Sequence, residues 1–486
     1  MPGHLFAFDK DRGISYRDAD LRSDQIAAEL QSRGVTSEDR IGLCSPDSVD
    51  LLLAIIGAWK AGGLPAMLDP RTPAGQLPTL VSDIGADITL CSADQHSRLD
   101  GAGARNLTEI TTAGNTAGSC TLQHDHQTPL FLSYTSGTTG PPKGAILTSG
   151  PVTLGTACIA DRLSFSPEET LLVTTPTASS FQLVAALLPA MHVGATVGLA
   201  SGATVDEIWE LASWQKSTVL IGYPLTLADV VNHPGAQAGR CPFRLALSGG
   251  SPLAPRIHRD YAERLGIPLV ESYGQSEFGG FMALGSPYER GVPSGFVGRP
   301  LPDRLAVIAA ADGHELPAGE VGEVMVPAGY FRGYQNRPDE TARALSGGML
   351  HCGDAGVADG QGRIKVLGRV AEREHAKQRG GFLREAEDAY YELPEVLHAV
   401  VVQTQRGDIE AFIELQAAHK QAPATVSLAA LSDLPAGLQP ARTTTLAAMP
   451  RTFSGKADRR LLADGGARAQ QPGQPAPGMP VRRAAK

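Results

Sequence analysis

Residues 134–144 read YTSGTTGPPKG, which places hydroxyls, glycines and a lysine within one short segment. Glycines let backbone N–H groups close on an anion, and hydroxyls add further donors. An apolar run at residues 130–132 precedes the segment and can end a buried strand. We interpret the segment as a phosphate-binding loop rather than a flexible linker, because a linker needs neither the lysine nor the apolar run.

This loop differs from the common nucleoside-triphosphate loop, in which Gly precedes the lysine and Ser or Thr follows it. Here Pro142 precedes Lys143 and Gly144 follows it. Pro141 and Pro142 also oppose the helix that normally begins at that point. A different mode of phosphate binding is therefore predicted.

The segment TSGTTGPPKG resembles the signature loop of the adenylate-forming superfamily, which includes acyl-CoA synthetases, adenylation domains of peptide synthetases and luciferases. The resemblance implies that the loop binds the phosphates of ATP, with Thr135 and Lys143 acting in catalysis. The loop residues that it assigns to cofactor binding are Ser136, Gly137, Thr138, Thr139 and Gly140.

Residues 271–277, ESYGQSE, match a second motif of this superfamily at the expected distance from the loop. A buried strand that ends in Tyr-Gly would place the next acid beside a ligand pocket. Carboxylate and phosphate oxygens are preferred ligands of Mg²⁺. We therefore expect Glu277 to bind Mg²⁺, Ser276 to contact the α-phosphate, and Gly274 to belong to the cofactor site. An isolated motif of this kind would more often be a turn with an exposed Glu.

Residues 247–253, LSGGSPL, provide the predicted adenine site. By resemblance, Gly249, Gly250 and Ser251 would form one wall against the base, and Tyr273 the other. A plain Gly-Gly turn after a strand is the alternative interpretation for the motif alone.

Asp354 is the predicted ribose-binding residue, and Arg369 is assigned to the same cofactor site. A carboxylate that accepts two ribose hydroxyls is a common way to hold a nucleoside, and Asp354 matches the family position. An isolated Gly-Asp pair would otherwise indicate a surface turn. Cys352 stands where the family usually has Thr, a mild departure with no evident chemical meaning.

Residues 450–456, PRTFSGK, contain the predicted catalytic lysine. A lysine is a compact charge that can stabilise a developing negative charge. Between a carboxylate and an α-phosphate, Lys456 would favour the pentavalent transition state. A lone lysine is more often a solvated surface residue, so this assignment depends on the whole motif.

Length and composition suit a globular protein of two or three domains, since the chain has 486 residues, 42% of them hydrophobic. A net charge of -9 gives no reason to expect nucleic-acid binding. Six scattered cysteines without a CxxC pair suit reduced thiols in a cytoplasm. No signal peptide is expected at the N-terminus. The apolar stretch 181–200 is interrupted by polar residues, Gly and Pro, so we predict a buried helix and a strand rather than a membrane span.

The predicted fold class is α/β. Strand and helix candidates alternate from residue 14 to residue 247, which indicates parallel sheets with flanking helices. The candidates are a helix at 17–33, a strand at 40–44, a helix at 48–62, and further elements at 84–90, 171–174, 205–214, 218–221 and 244–247. Short β-type runs at 305–308, 322–326 and 362–366 predict a small β subdomain. A helix near 385–392 and a strand pair at 399–403 and 409–415 follow.

We expect a large ATP- and acid-binding domain at 1–369, a small C-terminal α+β catalytic lid domain at 370–462, and a disordered tail at 463–486. In the family the small domain swings between half-reactions, so we expect it to be mobile. The resemblance extends from about residue 10 to residue 462 and includes motifs in the expected order.

The hinge segment departs from the family pattern, which usually reads Gly-Arg-x-Asp. Here residues 368–372 read GRVAE, so the usual Asp is absent and Glu372 is the acid that could substitute. The segment up to Gly380 is also about two residues longer, although the run 377–380 and Glu387 still align with the family, and the resemblance assigns Gly380 to the cofactor site. Because this segment lines the thiol tunnel in the family, the departure predicts either harmless loop drift or an impaired or specialised thioester half-reaction.

The acid-binding element also departs from the family. Residues 176–183 read PTASSFQL, where many acyl- and aryl-CoA synthetases have His and amino-acid-activating members have Asp. Ser179 stands at this position, so an α-amino-acid substrate is not expected. A pocket for an apolar carboxylic acid would be lined by Phe181, Tyr223, Gly249 and Gly279, although core packing is an equal alternative for the two aromatic residues.

The resemblance implies an acid–CoA ligase that uses ATP, Mg²⁺ and coenzyme A. The acid would attack the α-phosphate of Mg·ATP, giving acyl-AMP and pyrophosphate, and a thiol would then take the acyl group. The alternatives are delivery to a carrier-protein phosphopantetheine, a luciferase-like oxygenase, and a nucleotide-binding regulator that has lost turnover. The presence of Lys456, Glu277 and Asp354 argues against the last of these.

Overall fold

The computed structural model describes residues 2–37, 39–99, 104–111, 125–134, 142–289, 291–293, 295–302, 306–419 and 431–465. The predicted loop residues 135–141 and the part of the predicted tail at 466–486 lie outside these ranges. Backbone contacts divide the chain into two compact units. The first comprises Met1–Lys377 and Phe453–Lys456, and the second Gln378–Thr452 and Ala457–Lys486.

One mixed sheet of the first unit leads into the predicted phosphate loop. In spatial order its strands are Arg105–Asn106, Ile88–Cys91, Arg40–Cys44, Leu64–Leu68, Pro129–Tyr134 and Gly144–Thr148. Neighbours pair in parallel except for the last two, which are antiparallel and align Tyr134 with Gly144. The two ends of the loop are therefore held side by side.

A second mixed sheet of the first unit carries most of the remaining motifs. In spatial order its strands are Arg299–Pro300, Gly280–Leu284, Leu269–Gln275, Leu245–Ser248, Val219–Gly222, Thr170–Val173, Thr196–Leu199, Leu5–Phe8 and Gly13–Ser15. Its central strands are parallel, so their carboxyl ends lie along one edge. Ligands of α/β sheets bind at such an edge. Tyr223, Gly249 and Ser276 each follow the end of one of these strands.

Helices cover these sheets, and several begin at a capping side chain. The helices of the first unit are Tyr16–Ser32, Val49–Lys60, Leu77–Ile84, Leu107–Thr111, Ser149–Leu163, Ser180–Gln182, Leu188–Val193, Val205–Trp214, Pro224–Asn232, Pro255–Asp260 and Pro338–Ala344, with π-helical turns at Leu183–Leu187 and Tyr261–Leu265. Thr204 and Glu207 form a reciprocal capping box, which explains why a helix begins at Val205. The apolar helix Val49–Lys60 is buried in a core cluster that also contains residues from strands of both sheets.

A small antiparallel sheet forms the predicted β subdomain. Its strands are Val307–Ala309, Gly322–Pro327, Met349–Ala358, Leu345–Ser346 and Ile364–Arg369. The last of these pairs with Met349–Ala358 and aligns Asp354 with Arg369. Its core also includes Phe278, which follows the ESYGQSE strand. This packing connects the subdomain to the second mixed sheet.

The second unit has a sheet of three strands among its described residues, Val396–Gln403, Ile409–Leu415 and Arg442–Leu446. Its helices are Leu383–Tyr391 and Arg459–Ala463, and the helix Arg373–Arg379 spans the division between the units. Glu387 is buried, accepts the Val401 N–H at 2.7 Å and pairs with Arg459 at 2.6 Å. A charge-assisted bond thus ties the last helix to this sheet.

The predicted α/β class is confirmed. The strands at 40–44 and 409–415 and the helix at 205–214 have the predicted bounds. The element proposed at 84–90 needs correction: Ile84 ends a helix, because Gly85 adopts the left-handed conformation that terminates it, and the strand begins at Ile88. The strand predicted at 362–366 begins at Ile364. In the described part of the chain, none of the helices has the length and apolar character needed to cross a membrane.

Candidate functional site

The predicted phosphate loop is described at its two ends. Thr135, Ser136, Gly137, Thr138, Thr139 and Gly140 lie outside the described residues. Before the loop, the Tyr134 hydroxyl donates to Asp83 Oδ2 at 2.8 Å. After it, Lys143 Nζ lies 5.2 Å from the centroid of the Tyr334 ring. An ammonium group at this distance from an aromatic ring makes a cation–π contact.

Glu277 lies beside the same tyrosine. It belongs to the 3₁₀ turn Ser276–Phe278, which follows the strand Leu269–Gln275, and the buried ring of Phe278 anchors the turn. The Tyr334 hydroxyl donates to Glu277 Oε1 at 2.6 Å. Burial and the Glu277 charge raise the pKa of Tyr334, so the phenol remains a donor. The structure therefore brings Lys143 and Glu277 to one aromatic side chain.

Serine hydroxyls connect the neighbouring strand ends. Ser276 Oγ lies 2.8 Å from Ser180 Oγ. Ser179, which stands where the family has His or Asp, accepts a hydrogen bond from the Tyr223 hydroxyl at 2.9 Å. A π-helical turn follows at Leu183–Leu187, and such turns are frequent at functional sites.

The glycines of the LSGGSPL motif permit close approach of two aromatic rings. A Cβ at Gly249 would lie 2.3 Å from Phe181 Cε2, and one at Gly250 would lie 2.7 Å from Tyr223 Cε1. The centroids of the Phe181 and Tyr223 rings are 5.7 Å apart. These predicted pocket residues are thus contiguous.

Gly274, Gly279 and Ser251 make contacts with nearby side chains and backbone. Gly279 lies against Val152, and a Cβ at Gly274 would lie 2.1 Å from the Gly280 carbonyl oxygen. The Ser251 hydroxyl donates to the Gly250 carbonyl oxygen at 2.8 Å.

Asp354 is the centre of a hydrogen-bond network in the first unit. Its Oδ2 accepts from the Tyr273 hydroxyl at 2.7 Å and from Gln275 Nε2 at 2.6 Å. Its Oδ1 lies 3.1 Å from Arg369 NH1. Burial raises the pKa of Asp354, while the Arg369 charge opposes that rise. The predicted adenine residue Tyr273 therefore also holds the predicted ribose acid.

Lys456 belongs to the first unit together with residues 453–455. Its Nζ lies 5.1 Å from the centroid of the Tyr223 ring. Its Cε lies 3.2 Å from the position that a Cβ on Gly250 would occupy. Burial and the nearby Arg369 charge lower the pKa of Lys456 to about 8. The Lys456 side chain thus lies beside the predicted acid-pocket residue Tyr223 and the predicted adenine residue Gly250.

The hinge segment and Gly380 were assigned functional roles by resemblance to the family, and both lie within the described residues. Val370–Glu372 forms a 3₁₀ turn that precedes the helix Arg373–Arg379. The Arg373 side chain donates to the Val321 carbonyl oxygen at 2.8 Å. Gly380 belongs to the second unit, has a φ of +82°, and lies against Pro435.

Sequence reasoning missed Tyr334, Gln275 and Ser180. Gln275 lies inside a recognised motif and alternates with Tyr273 and Glu277, so strand periodicity could have indicated it. Tyr334 lies 57 residues from Glu277, and its contact depends on pairing between distant segments. Its residue type alone gives no signal.

Glu277 suits a magnesium site that is shared with phosphates. In the described ranges, no cluster of three or more His, Cys, Asp or Glu side chains could hold a metal ion. Mg²⁺ is commonly held by one or two carboxylates, water and substrate phosphates. The bond from Tyr334 uses one lone pair of a carboxylate that has further acceptor positions. The donor set therefore fits Mg²⁺ bound together with a nucleotide.

Comparisons with known proteins relate the chain to one enzyme family. A family model described as AMP-binding enzyme matches residues 1–335. A feruloyl-CoA synthase from Amycolatopsis sp is 26% identical over 406 residues, covering 80% of each protein. A fatty acid–[acyl-carrier-protein] ligase from Streptomyces coeruleorubidus is 26% identical over 486 residues, covering 93% of this chain and 92% of the relative. A benzoate CoA ligase structure from Burkholderia xenovorans LB400 superposes with a TM-score of 0.85 at 21% identity, covering 95% of this chain and 97% of that one, and shows the shared fold.

Proposed function

Since the chain belongs to the AMP-binding enzyme family, we propose that it is an AMP-forming acid–CoA ligase that activates an apolar carboxylic acid with Mg·ATP. The observation that carries the proposal is the alternation of Tyr273, Gln275 and Glu277 along one strand and its following turn. The first two side chains hold Asp354, and the third contacts the tyrosine beside Lys143. One continuous segment thus connects the acid that we propose to bind the ribose with the lysine that we propose to bind the phosphates.

In the first half-reaction, an oxygen of the substrate carboxylate forms a bond to the α-phosphorus of ATP. The bond between that phosphorus and the bridging oxygen breaks, and pyrophosphate leaves. Lys143 and the preceding loop would hold the phosphates, and Asp354 would accept hydrogen bonds from the ribose. Bound Mg²⁺, with Glu277 as a ligand, would neutralise phosphate charge.

Lys456 would stabilise the charge that develops at the α-phosphate. An ammonium in a partly desolvated site interacts more strongly with a phosphate than it would in water. Its position beside Tyr223 and Gly250 supports this role. The buried, hydroxyl-bearing surroundings would keep the group oriented.

The acid would bind near Phe181 and Tyr223. Both rings are almost fully buried and lie against the glycines that follow the strand Leu245–Ser248. Ser179 offers a neutral hydroxyl where an amino-acid-activating enzyme has a carboxylate, so nothing at this position would hold a substrate ammonium. These features favour an apolar acid without an α-amino group.

In the second half-reaction, the thiol of CoA would attack the acyl carbon and release AMP. A carrier-protein phosphopantetheine presents the same thiol, and the fatty acid ligase among the relatives is named for such a carrier. We propose CoA, and the acceptor is decided by product analysis.

The test is mass spectrometry of products formed from ATP, Mg²⁺ and a panel of fatty, aryl and polycyclic acids, each with and without CoA. We expect acyl-AMP and pyrophosphate without CoA, and acyl-CoA and AMP with it. Accumulation of acyl-AMP that CoA does not discharge would reject CoA as the acceptor. If none of the acids in the panel causes pyrophosphate release, the proposed activation of fatty, aryl and polycyclic acids is wrong.

A further inference from the structure

Residues 333–335 are bound to the strand that begins directly after Lys143. The Gln335 N–H donates to the Gly144 carbonyl oxygen at 2.7 Å, and the Ile146 N–H donates to the Gly333 carbonyl oxygen at 3.1 Å. These bonds frame an antiparallel bridge between Ala145 and Tyr334. The backbone of Tyr334 is therefore fixed relative to the exit of the predicted phosphate loop.

Ring packing and a further backbone hydrogen bond also hold Tyr334 in place. It packs edge-on against Phe331, with a centroid distance of 4.8 Å. The Tyr334 N–H donates to Thr341 Oγ1 at 2.9 Å. Gly333 has a φ of +137°, and a Cβ there would approach Thr341 Cγ2 to 2.9 Å. The segment thus depends on a glycine to bring the tyrosine to this position.

The side chain of Tyr334 then makes two polar contacts at once. Its hydroxyl donates to Glu277 Oε1 at 2.6 Å, and its ring centroid lies 5.2 Å from Lys143 Nζ. The hydroxyl orients an anion, while the ring face attracts a cation. One side chain therefore contacts both the Glu277 carboxylate and the Lys143 ammonium.

We propose that Tyr334 is a positioning residue, which aims the Glu277 carboxylate at the nucleotide-bound metal and keeps Lys143 directed toward the phosphates. This proposal rests on the proposed function, because it assumes that Glu277 binds the metal. Outer-shell hydrogen bonds to ligating carboxylates orient them and strengthen metal binding. A direct pairing of Lys143 with Glu277 would instead oppose both roles.

The test measures metal binding rather than turnover. Mn²⁺ would be titrated into the protein with α,β-methylene-ATP, and free Mn²⁺ would be followed by electron paramagnetic resonance. The same titration of the nucleotide without protein would be subtracted. We expect Tyr334→Phe, which removes only the hydroxyl, to raise the Mn²⁺ dissociation constant about 10-fold. Tyr288→Phe is the matched control, because Tyr288 is 66% exposed, and it should leave the constant unchanged.

Two further variants separate the possible failures. If Glu277→Gln binds Mn²⁺ as tightly as the wild type, the metal assignment in the proposed function is wrong. If Glu277→Gln weakens binding and Tyr334→Phe does not, the role of Tyr334 is overturned while the proposed function stands.

A purely structural role makes a different prediction. Phe331→Leu disturbs the packing of the same ring but keeps the hydroxyl, and thermal unfolding would report the loss of stability in each variant. We expect Phe331→Leu to lower the melting temperature with little change in the Mn²⁺ constant. An equal loss of Mn²⁺ affinity in both variants at equal melting temperature would overturn the proposal.

Discussion

The two acids of the candidate site, Asp354 and Glu277, lie on different elements and are held in different ways. Asp354 is buried, and both of its oxygens have protein partners. Glu277 is half-buried and accepts a hydrogen bond on Oε1 from Tyr334. A carboxylate with several fixed partners is preorganised for a neutral ligand such as a ribose. One that is oriented through a single oxygen retains acceptor positions for a metal ion.

The largest loss of activity is expected for a substitution of Lys456, which changes neither of the two acids. Lys456→Ala removes the charge beside Tyr223 and leaves the groups around Asp354 and Glu277 in place. Acyl-AMP formation should fall about 100-fold or more, because the transition-state charge loses its partner. Isothermal titration should still detect ATP binding.

The outcome would separate binding from chemistry. Adenylation that survives Lys456→Ala would contradict the role assigned to this lysine. Loss of ATP binding together with adenylation would instead place Lys456 among the ground-state contacts.

Glu277→Gln should have the next largest effect, and that effect should depend on Mg²⁺. The amide keeps the shape of the side chain and an acceptor for Tyr334, but it removes the negative charge. The Mg²⁺ concentration that half-saturates pyrophosphate release should rise about 10- to 100-fold. AMP binding without metal, measured by calorimetry, should change little.

Asp354→Asn should give the opposite pattern. The amide is a poorer acceptor and leaves Arg369 without its charge partner, so AMP affinity should fall about 10-fold. The half-saturating Mg²⁺ concentration should stay near the wild-type value. If Asp354→Asn shifted the Mg²⁺ dependence and Glu277→Gln shifted AMP affinity, the roles of the two acids would be reversed.

Much of this contrast was accessible from sequence, because Tyr273, Gln275 and Glu277 lie within one short motif. A strand alternates its side chains, so the local pattern indicates that Tyr273 and Gln275 share a face, and Glu277 follows in the next turn. The capping box at Thr204 and Glu207 likewise predicts a helix start from neighbouring residues alone. Interactions between residues that are close in sequence can therefore be predicted without knowledge of the fold.

Long-range contacts were not accessible in the same way. Asp354 and Arg369 were both assigned to the cofactor site, but their pairing depends on the register of two strands of the small sheet. Tyr334 reaches Glu277 because its segment pairs with the strand after Lys143. Such contacts arise from sheet register and tertiary packing, which residue type and periodicity do not encode.

The smallest predicted effect is a change with pH that tests Lys456 rather than either acid. Because burial lowers the pKa of Lys456 to about 8, the charged form is complete below that pH and is lost as the pH rises through it. The kcat/KM for ATP, which reports the free enzyme, should fall about fourfold from pH 7 to pH 8.5. The alkaline fall in kcat should lie at higher pH than the fall in kcat/KM, since bound phosphates favour the charged amine.

Lys456→Arg is the matched variant for the alkaline fall in kcat/KM, because a guanidinium stays protonated between pH 7 and pH 8.5. Its kcat/KM should be lower overall but nearly flat between pH 7 and pH 8.5. Glu277→Gln should lower kcat/KM at neutral pH and leave the midpoint of its alkaline fall close to that of the wild type. An alkaline limb that persists in Lys456→Arg would have to come from another group, and the lysine would then not control the reaction in this range.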